Sequence, residues 1–525
     1  MIPLSFAQRR LWFLHRFEGP SATYNIPVVL RLTGALDAAA LSHAIRDVVA
    51  RHESLRTLIA EDPEGVPYQR VVPVAEVLLD VPVHTVDPEK TADAVAEAVT
   101  YRFDLTAEIP IRLSVFRCGA EEHVLVLLIH HIAGDGASGA PLARDLATAY
   151  TARLDGREPG WAELPVQYAD YTLWQRELLG EDSDPESVLA AQSAYWRDEL
   201  EGVPQPLQLP TDRPRPPVAS YRGDTVEMSL DAELLTAADK LARERGATVS
   251  MVLQSALAVL LHRLGGGDDI TIGSPIAGRT DEALTELVGF FVNTWVLRTD
   301  LSGNPSFEQV LKRVRGKALA AYDNQDIPFE RLVELLNPER STAYLPYIQV
   351  MFAWQSATPS ELNLPGLEVA FETASTGAAK LDLFFNLAAV PGEDARGTIE
   401  YATDLFDRVT VQGLWARFVR LLRQAVADPG LRIGAIEVLE PGEQQRAVGE
   451  WNATDRAVPE ETVVGAFEAQ VARGPGRPAL IADGQTLTYA ELNARANRLA
   501  HWLIERGVGP ERRVAVVLPR TSDLV

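Results

Sequence analysis

The chain has 525 residues, of which 46% are hydrophobic, enough to bury the cores of two or three globular domains. Lys and Arg number 49 against 73 Asp and Glu, so the net charge is −24, which argues against nucleic acid or an anionic membrane as a partner. One cysteine, Cys118, excludes an internal disulfide and fits a reducing compartment. Residues 1–14 lack the order of a signal peptide and the apolar run at 124–129 is too short to span a bilayer, so we expect a soluble cytoplasmic protein.

Strand and helix signals alternate from the beginning of the chain, which predicts a mixed α/β fold. Residues 39–52 form an amphipathic helix pattern. Residues 122–132 are apolar on both faces, which is typical of a strand in the centre of a sheet. A turn at 134–136 then leads into a helix predicted to run from about residue 138 to 154.

The second half of the chain begins after a proline-rich stretch at 209–223, which we interpret as a surface crossover between two lobes. Helices are predicted at 232–245 and 250–264, because each apolar pattern is followed by a glycine. Ser306 with Gln309 forms a capping-box pattern that should open a further helix.

A third region follows residue 450, where an irregular tether leads to two short strands around an Asp483-Gly484 turn. Thr488 with Glu491 predicts another capped helix. An apolar strand is expected at 512–518. So few residues cannot bury a sheet, so we expect this region to be the beginning of a larger domain.

The sharpest chemical signal is the sequence Ile-His-His-Ile-Ala-Gly-Asp-Gly at 129–136. Neighbouring side chains on a strand face opposite ways, so only one of His130 and His131 can enter a given cavity, and the strand end favours His131. Asp135 is placed to organise the turn, and Gly136 is expected where the backbone passes closely or takes a positive φ. The alternative is a pair of packed core histidines. A metal site is disfavoured, since two opposed histidines cannot share one ion and no further ligands stand at recognisable spacing.

The pattern H-H-x-x-x-D-G resembles the signature of the condensation-domain superfamily, which includes chloramphenicol acetyltransferase-like enzymes. Six further stretches resemble the other motifs of that family in order, at 5–14, 51–57, 168–175, 288–298, 324–333 and 340–355. The last is the loosest match, because residues 344–347 read Tyr-Leu-Pro-Tyr where the family has a His-Pro-Leu-like run. Residues 487–492, LTYAEL, resemble the first core motif of adenylation domains.

The resemblance implies an α/β fold with two chloramphenicol acetyltransferase-like lobes in a V-shaped arrangement around a central tunnel. We expect an N-terminal lobe at 1–176, a C-terminal lobe at 177–445, a linker at 446–462 and the start of an adenylation domain at 463–525. A small partial α/β segment would therefore form the C-terminal end of the chain.

The implied function is that of a nonribosomal peptide synthetase condensation domain, an enzyme that forms an amide bond between a donor thioester and the α-amine of an acceptor aminoacyl thioester. The partners would be an upstream donor and a downstream acceptor peptidyl carrier domain, with an adenylation domain in cis in the full-length protein. The chain has no carrier-type serine motif, so phosphopantetheine arms would be delivered by those carriers and no cofactor would be bound permanently.

Catalytic roles are expected for His131, Asp135 and Gly136, with His131 acting as a general base or positioning the amine. The resemblance places Arg279 against Asp135, where it would tie the two lobes together; the alternative is a solvated surface charge. His130 and Asn293 are expected in support, the latter as a polar contact in the tunnel.

Aromatic residues of the motifs are predicted to be core rather than substrate contacts; they are Trp12, Phe13, Phe290 and Phe291.

Three other functions share the histidine motif. A coenzyme A-dependent acyltransferase is disfavoured by the adenylation-like segment, and an epimerisation domain by the segments around residues 291–294 and 324–330. A catalytically inactive domain that recruits partner proteins is disfavoured by the intact motif. Residues 178–192 resemble family members with a D-configured donor and residues 23–27 those with an L-configured donor; we favour a D donor with an L acceptor.

Overall fold

The structure is a computed structural model that describes all residues except Asp182, 339–340, 357–361, Pro391, Pro441, Pro459 and Asp483. The chain divides into two compact units, Met1–Glu440 and Pro441–Val525. The first unit holds all seven condensation-type motifs, apart from the residues of the last one that lie outside the described set. Each unit is treated separately below.

The first half of unit 1 is assembled from short strands and amphipathic helices. Its strands are β1 Ile2–Pro3, β2 Asn25–Gly34, β3 Thr57–Glu61, β4 Pro67–Val71, β5 Val83–Thr85, β6 Ile111–Arg117 and β7 Glu122–His130. Its helices are α1 Phe6–Glu18, α2 Ala38–Arg51, α3 Thr91–Val99, α4 Gly139–Leu154, α5 Tyr168–Leu179 and α6 Val188–Leu200.

The second half of unit 1 follows the same construction after the proline-rich crossover. Its strands are β8 Gly223–Leu230, β9 Asp269–Ile276, β10 Asn293–Asp300, β11 Val350–Ser356, β12 Leu367–Glu372, β13 Leu383–Ala389 and β14 Ala395–Ala402. Its helices are α7 Ala232–Glu244, α8 Val249–Leu261, α9 Phe307–Asp323, α10 Phe329–Leu336 and α11 Arg408–Ala427. The predicted capping box of Ser306 and Gln309 is present at the start of α9.

Two mixed sheets form the centres of the two lobes. The first has the order β12-β2-β7-β6-β5 and the second the order β10-β9-β11-β13-β14-β8. Strand β7 lies between β2 and β6, with eight of its nine residues buried, which confirms the prediction of a central strand. Strand β12 comes from the second half of the sequence yet pairs antiparallel with β2, so a segment of the second lobe completes the sheet of the first.

The predicted strand at 122–132 is two residues too long at its end. Strand β7 stops at His130, because the backbone N–H of Ala133 turns back to donate to the His130 carbonyl at 2.9 Å. This turn places His131 at the exit of the strand. The buried aromatic and aliphatic side chains form two large cores and a third, smaller cluster that contains Tyr168 and Phe291.

The segment Val249–Gly266, which contains α8, is long and apolar enough to cross a membrane by length and composition alone. Two thirds of it is buried inside unit 1 (67%), as in the core helix of a soluble protein. The apolar run at 124–129 is therefore not the strongest membrane candidate in the chain, and the stronger one has its apolar surface covered by protein.

Unit 2 consists of helices around a hairpin: α12 Glu443–Gln445, α13 Val463–Arg473, β15 Pro478–Ala482, β16 Gln485–Thr488 and α14 Tyr489–Glu505. The capping box of Thr488 and Glu491 is confirmed, as is the strand pair, although Asp483 of the predicted turn lies outside the described residues. The strand predicted at 512–518 is wrong. That stretch has no regular structure and its valines are exposed, Val517 by 90%, because neither β15 nor β16 pairs with it.

Candidate active site

His130, the last residue of β7, is a packed side chain. It is 5% exposed, its Nδ1 accepts the backbone N–H of Ile132 at 3.1 Å, and its ring meets the edge of Phe103. Burial, with a smaller contribution from nearby positive charge, lowers the pKa of His130 to about 3. His130 is therefore a neutral ring that is bonded inside the protein.

His131 leaves the strand with its ring in a different environment. Its backbone N–H donates to the carbonyl of Tyr24 at 2.8 Å, and its ring centroid lies 4.7 Å from that of Phe290. The carbonyls of His131 itself and of Gly134 favour the protonated ring, but among the described residues none forms a hydrogen bond with the enclosed Nδ1. Nε2 is not among the enclosed, unpartnered atoms.

The electrostatics of His131 keep its imidazole neutral. Burial, followed by the positive charge of Lys380, lowers its pKa to about 3. A neutral imidazole offers a lone pair to an amine N–H, but it is too weak a base to hold a proton taken from an ammonium ion.

Asp135 is saturated by hydrogen bonds from both lobes. Its Oδ1 accepts the backbone N–H and the hydroxyl of Ser138 at 3.0 and 2.8 Å. Its Oδ2 accepts the backbone N–H groups of Phe291 and Val292 at 2.9 and 3.1 Å and Nη1 of Arg279 at 3.0 Å. No lone pair is left for a substrate, so the geometry gives Asp135 a positioning role rather than the catalytic one expected.

Arg279 forms the ion pair with Asp135 that the resemblance implied. Its side chain is 6% exposed and that of Asp135 is 1% exposed, which rules out the alternative of a solvated surface charge. Nη2 donates to the Ser138 hydroxyl at 3.0 Å and to the Leu287 carbonyl at 3.2 Å, and the guanidinium lies 4.3 Å from the ring centroid of Phe291. One buried cation thus joins the turn after β7 to the segment before β10.

That segment, residues 287–292, is called the site loop here, and it is held by residues that sequence reasoning gave no role. His52 Nδ1 accepts the backbone N–H of Val288 at 3.4 Å, while its Nε2 lies 2.9 Å from Oδ2 of Asp145. Ser54 Oγ donates to the Val288 carbonyl at 2.7 Å. All three side chains are buried.

The other end of the site loop is held by Tyr168. Its hydroxyl donates to the Phe290 carbonyl at 2.7 Å and lies 2.8 Å from Oγ of Ser5. The sequence signal for His52, Ser54 and Tyr168 was their position in the motif-like stretches 51–57 and 168–175, which marked the segments but not the contacts.

Gly136 has neither the close backbone approach nor the positive φ that was predicted for it. Its φ lies outside the left-handed region, and a Cβ added there would meet no atom within 4 Å. The residue is exposed at the start of the turn that leads into α4. Its lack of a side chain keeps space open near the histidine turn and is not demanded by the fold.

Asn293, predicted as a polar contact in the tunnel, lines a cavity with Phe290, but its amide is bonded inside the protein. Its Nδ2 donates to the carbonyls of Gln325 and Ile327, both at 2.8 Å, and its Oδ1 accepts the N–H groups of Thr294 and Phe329 at 2.8 and 3.0 Å. Both protons and both lone pairs of the amide are used. Asn293 therefore supports the site by fixing the segment before α10.

The aromatic predictions hold for two of four residues. Trp12 and Phe291 are buried, and Phe290 is partly buried beside His131. Phe13 is 60% exposed and was predicted wrongly, because it follows Trp12 on α1 and points along another face, where it stacks on Phe17.

Two cavities of unit 1 contain a neighbour of His131. One is lined by Phe290 and Asn293 together with Trp174 of α5. The other, of about 190 Å³, is lined by Tyr24, Arg10 and Lys380, and is called the Lys380 cavity here. Among the described residues no group of three His, Cys, Asp or Glu side chains is arranged to hold a metal ion.

The two-lobed α/β fold that holds the histidine turn and the site loop is that of condensation domains. The profile described as "Condensation domain" matches residues 1–448, and the chain belongs to that family. A second, partial match, to the profile described as "AMP-binding enzyme", covers residues 467–525.

Relatives are multidomain synthetases of which this chain spans a small part. It is 53% identical over 99% of its length to the probable atypical nonribosomal peptide synthetase CymA of Salinispora arenicola, and 50% identical over 100% of its length to the dimodular nonribosomal peptide synthase of Bacillus subtilis. It covers 7% of the first and 22% of the second.

Solved structures agree on the fold. The X-domain from teicoplanin biosynthesis is 36% identical, with a TM-score of 0.78 over 83% of this chain and 98% of that one. A four-domain nonribosomal peptide synthetase bound to AMP and glycine has a TM-score of 0.79 over 97% of this chain and 39% of that one, and at 20% identity it shows the fold alone.

Proposed function

We propose that unit 1 is an active condensation domain, which transfers the acyl group of a donor thioester to the α-amine of an acceptor aminoacyl thioester. Both substrates would be carried on phosphopantetheine arms of carrier domains, upstream for the donor and downstream for the acceptor. The observation that carries the proposal is the intact histidine motif, with His131 held against Phe290 and Tyr24, which line two cavities.

In the proposed reaction the acceptor nitrogen forms a bond to the donor carbonyl carbon, and the carbon–sulfur bond to the donor arm breaks. The amine loses one proton and the leaving thiolate gains one, so the step needs no further reactant. His131 accepts a hydrogen bond from the neutral amine and orients its lone pair towards the carbonyl. Its low pKa supports this positioning role over full proton abstraction, and orientation alone can supply much of the rate for an activated thioester.

The surrounding residues contribute rigidity in this proposal. Asp135 and Arg279 hold the site loop against the histidine turn, so that Phe290 keeps its place beside the His131 ring. We further propose the division 1–176, 177–445, 446–462 and 463–525 for the two lobes, the linker and the adenylation start, and a cytoplasmic location.

The test is a transfer assay with donor and acceptor carriers loaded separately, followed by mass spectrometry of the acceptor arm. The intact protein should give an acceptor heavier by the donor acyl group, and His131→Ala should form it about 100-fold more slowly. His43→Ala, on the exposed face of α2, is the matched control and should react like the intact protein.

A second candidate is a recruitment module without transfer activity. It is favoured by the 36% identity to the X-domain from teicoplanin biosynthesis, which has also been solved in a complex with OxyB. No product from the intact protein on verified, loaded carriers would contradict condensation and leave this alternative.

A further inference from the structure

Lys380 lies in the segment between β12 and β13 and faces the Lys380 cavity. Its Nζ is 5.0 Å from the ring centroid of Tyr24, whose carbonyl accepts the backbone N–H of His131. Tyr24 thus contacts both the ammonium group of Lys380 and the backbone of His131, the residue proposed to act on the substrates.

Lys380 differs from the other two cations that line this cavity. Arg10 pairs with Glu330 at 3.0 Å, and Arg215 donates to Oδ1 of Asp382 at 2.8 Å. Within the part of the chain that the structure describes, no carboxylate oxygen comes within the 4.0 Å of a salt bridge to Nζ of Lys380. A partly buried ammonium with only an aromatic face beside it gains free energy when an oxygen atom reaches it.

Glu400 is the acid whose charge acts on the pKa of Lys380, but its carboxylate bonds to the backbone of Lys380 and not to the ammonium group. Its Oε1 accepts the backbone N–H of Lys380 at 3.2 Å. Burial lowers the pKa of the Lys380 side chain and the charge of Glu400 opposes that effect. The backbone bond holds the segment that carries Lys380, and among the described residues none accepts a hydrogen bond from its Nζ.

Three cations, Arg10, Arg215 and Lys380, and two acids, Asp382 and Asp404, line this cavity, and both acids pair with arginines. An acceptor brings an α-amine, whose protonated form would be repelled by Lys380, whereas a donor brings carbonyl oxygens. The cavity also shares Arg10, Leu14 and Leu345 with a second cavity of about 390 Å³ between α1 and α10, which includes the exposed ring of Phe13. The two cavities are therefore neighbours along α1.

We propose that Lys380 is a specificity-determining residue that binds an oxygen of the donor acyl group beyond its thioester, such as an amide carbonyl. Donors that carry such an acceptor oxygen are selected over purely aliphatic acyl groups. In its choice of donor over acceptor, the inference rests on the proposed condensation function.

The test measures binding without transfer, using pantetheine conjugates in which an amide replaces the thioester. One ligand is N-acetylglycyl-pantetheine amide, and the other is pentanoyl-pantetheine amide, of similar length but without the second oxygen. Isothermal titration calorimetry gives the ratio of their dissociation constants. We expect the intact protein to bind the N-acetylglycyl ligand about tenfold or more tightly, as for a hydrogen bond from a charged group.

Lys380→Met should bring that ratio to about one, and Lys380→Arg should restore part of it. Lys312→Met, at an exposed position on α9, is the matched control and should leave the ratio unchanged. Because both ligands are titrated into one preparation, the ratio does not depend on the fraction of the variant that is folded.

Lys380→Met that keeps the ratio, or an intact protein that binds the two ligands equally or not at all, would overturn the inference. The transfer assay separates it from the proposed function. A Lys380-dependent ratio without transfer product contradicts catalysis alone, and transfer product without such a ratio contradicts donor selection alone.

Discussion

Replacing Arg279 by methionine should destabilise unit 1 strongly, because it leaves the carboxylate of Asp135 buried without its counter-ion. The ion pair spans 3.0 Å with side chains 6% and 1% exposed. Breaking a buried pair by removing one partner costs about 3–5 kcal/mol. The backbone N–H groups of Phe291 and Val292 continue to bond to the carboxylate, so we expect the lower part of that range, about 3 kcal/mol.

The control is Arg245→Met, which removes an ion pair of the same length in an exposed setting. Arg245 lies 3.0 Å from Glu308, with side chains 37% and 47% exposed. Such a pair contributes about 0–1 kcal/mol. Urea unfolding followed by tryptophan fluorescence measures both variants, and the double variant Asp135→Asn with Arg279→Met should lose less than the sum of the single losses. Equal, small losses for Arg279→Met and Arg245→Met would refute the reasoning.

Three further outcomes are expected. Single-turnover rates should rise up to about pH 8 as the acceptor amine loses its proton. They should show no break near pH 6.5 from His131, because burial lowers the pKa of His131 to about 3. A break near pH 6.5 that His131→Ala abolishes would contradict this expectation. Gly289→Ala should lower the free energy of unfolding in urea by about 1–3 kcal/mol, because its Cβ would stand 2.4 Å from Cδ2 of Tyr168. The control Gly136→Ala should change it by no more than about 0.5 kcal/mol. Equal losses for the two variants would contradict the packing at Gly289. Asn293→Asp replaces two donated hydrogen bonds with repulsion between oxygen atoms and should lower the free energy of unfolding by roughly 2 kcal/mol or more. Thermal unfolding that matches the intact protein would contradict the supporting role of Asn293.

Local signals in the sequence predicted the parts of the site that depend on neighbours along the chain. The apolar run of β7 predicted a central strand, and strand alternation separated the packed His130 from His131. The ion pair of Asp135 with Arg279 joins residues 144 positions apart, and it was predicted only through the family resemblance.

Contacts that depend on the meeting of two lobes had no local signal. The roles of His52 and Tyr168 arise because the site loop comes to rest against them from more than 100 residues away along the chain. Lys380 comes beside Tyr24 only once β12, a strand from the second half of the sequence, has paired with β2. The error on Gly136 has another cause, since a glycine at an open, exposed position is indistinguishable in sequence from one that the backbone requires.

The distribution of hydrogen bonds explains how a histidine with a low pKa can still serve the proposed reaction. The carboxylate of Asp135 and the amide of Asn293 are fully used inside the protein, so they resist movement of the site loop and of the segment before α10. His131 Nδ1, by contrast, has no partner among the described residues, so the ring is held by its backbone and by Phe290. A thioester needs little chemical activation, and a neutral imidazole fixed in a rigid frame supplies what remains, an oriented amine. Removing a frame residue should therefore lower stability and rate together, whereas removing His131 should lower the rate alone.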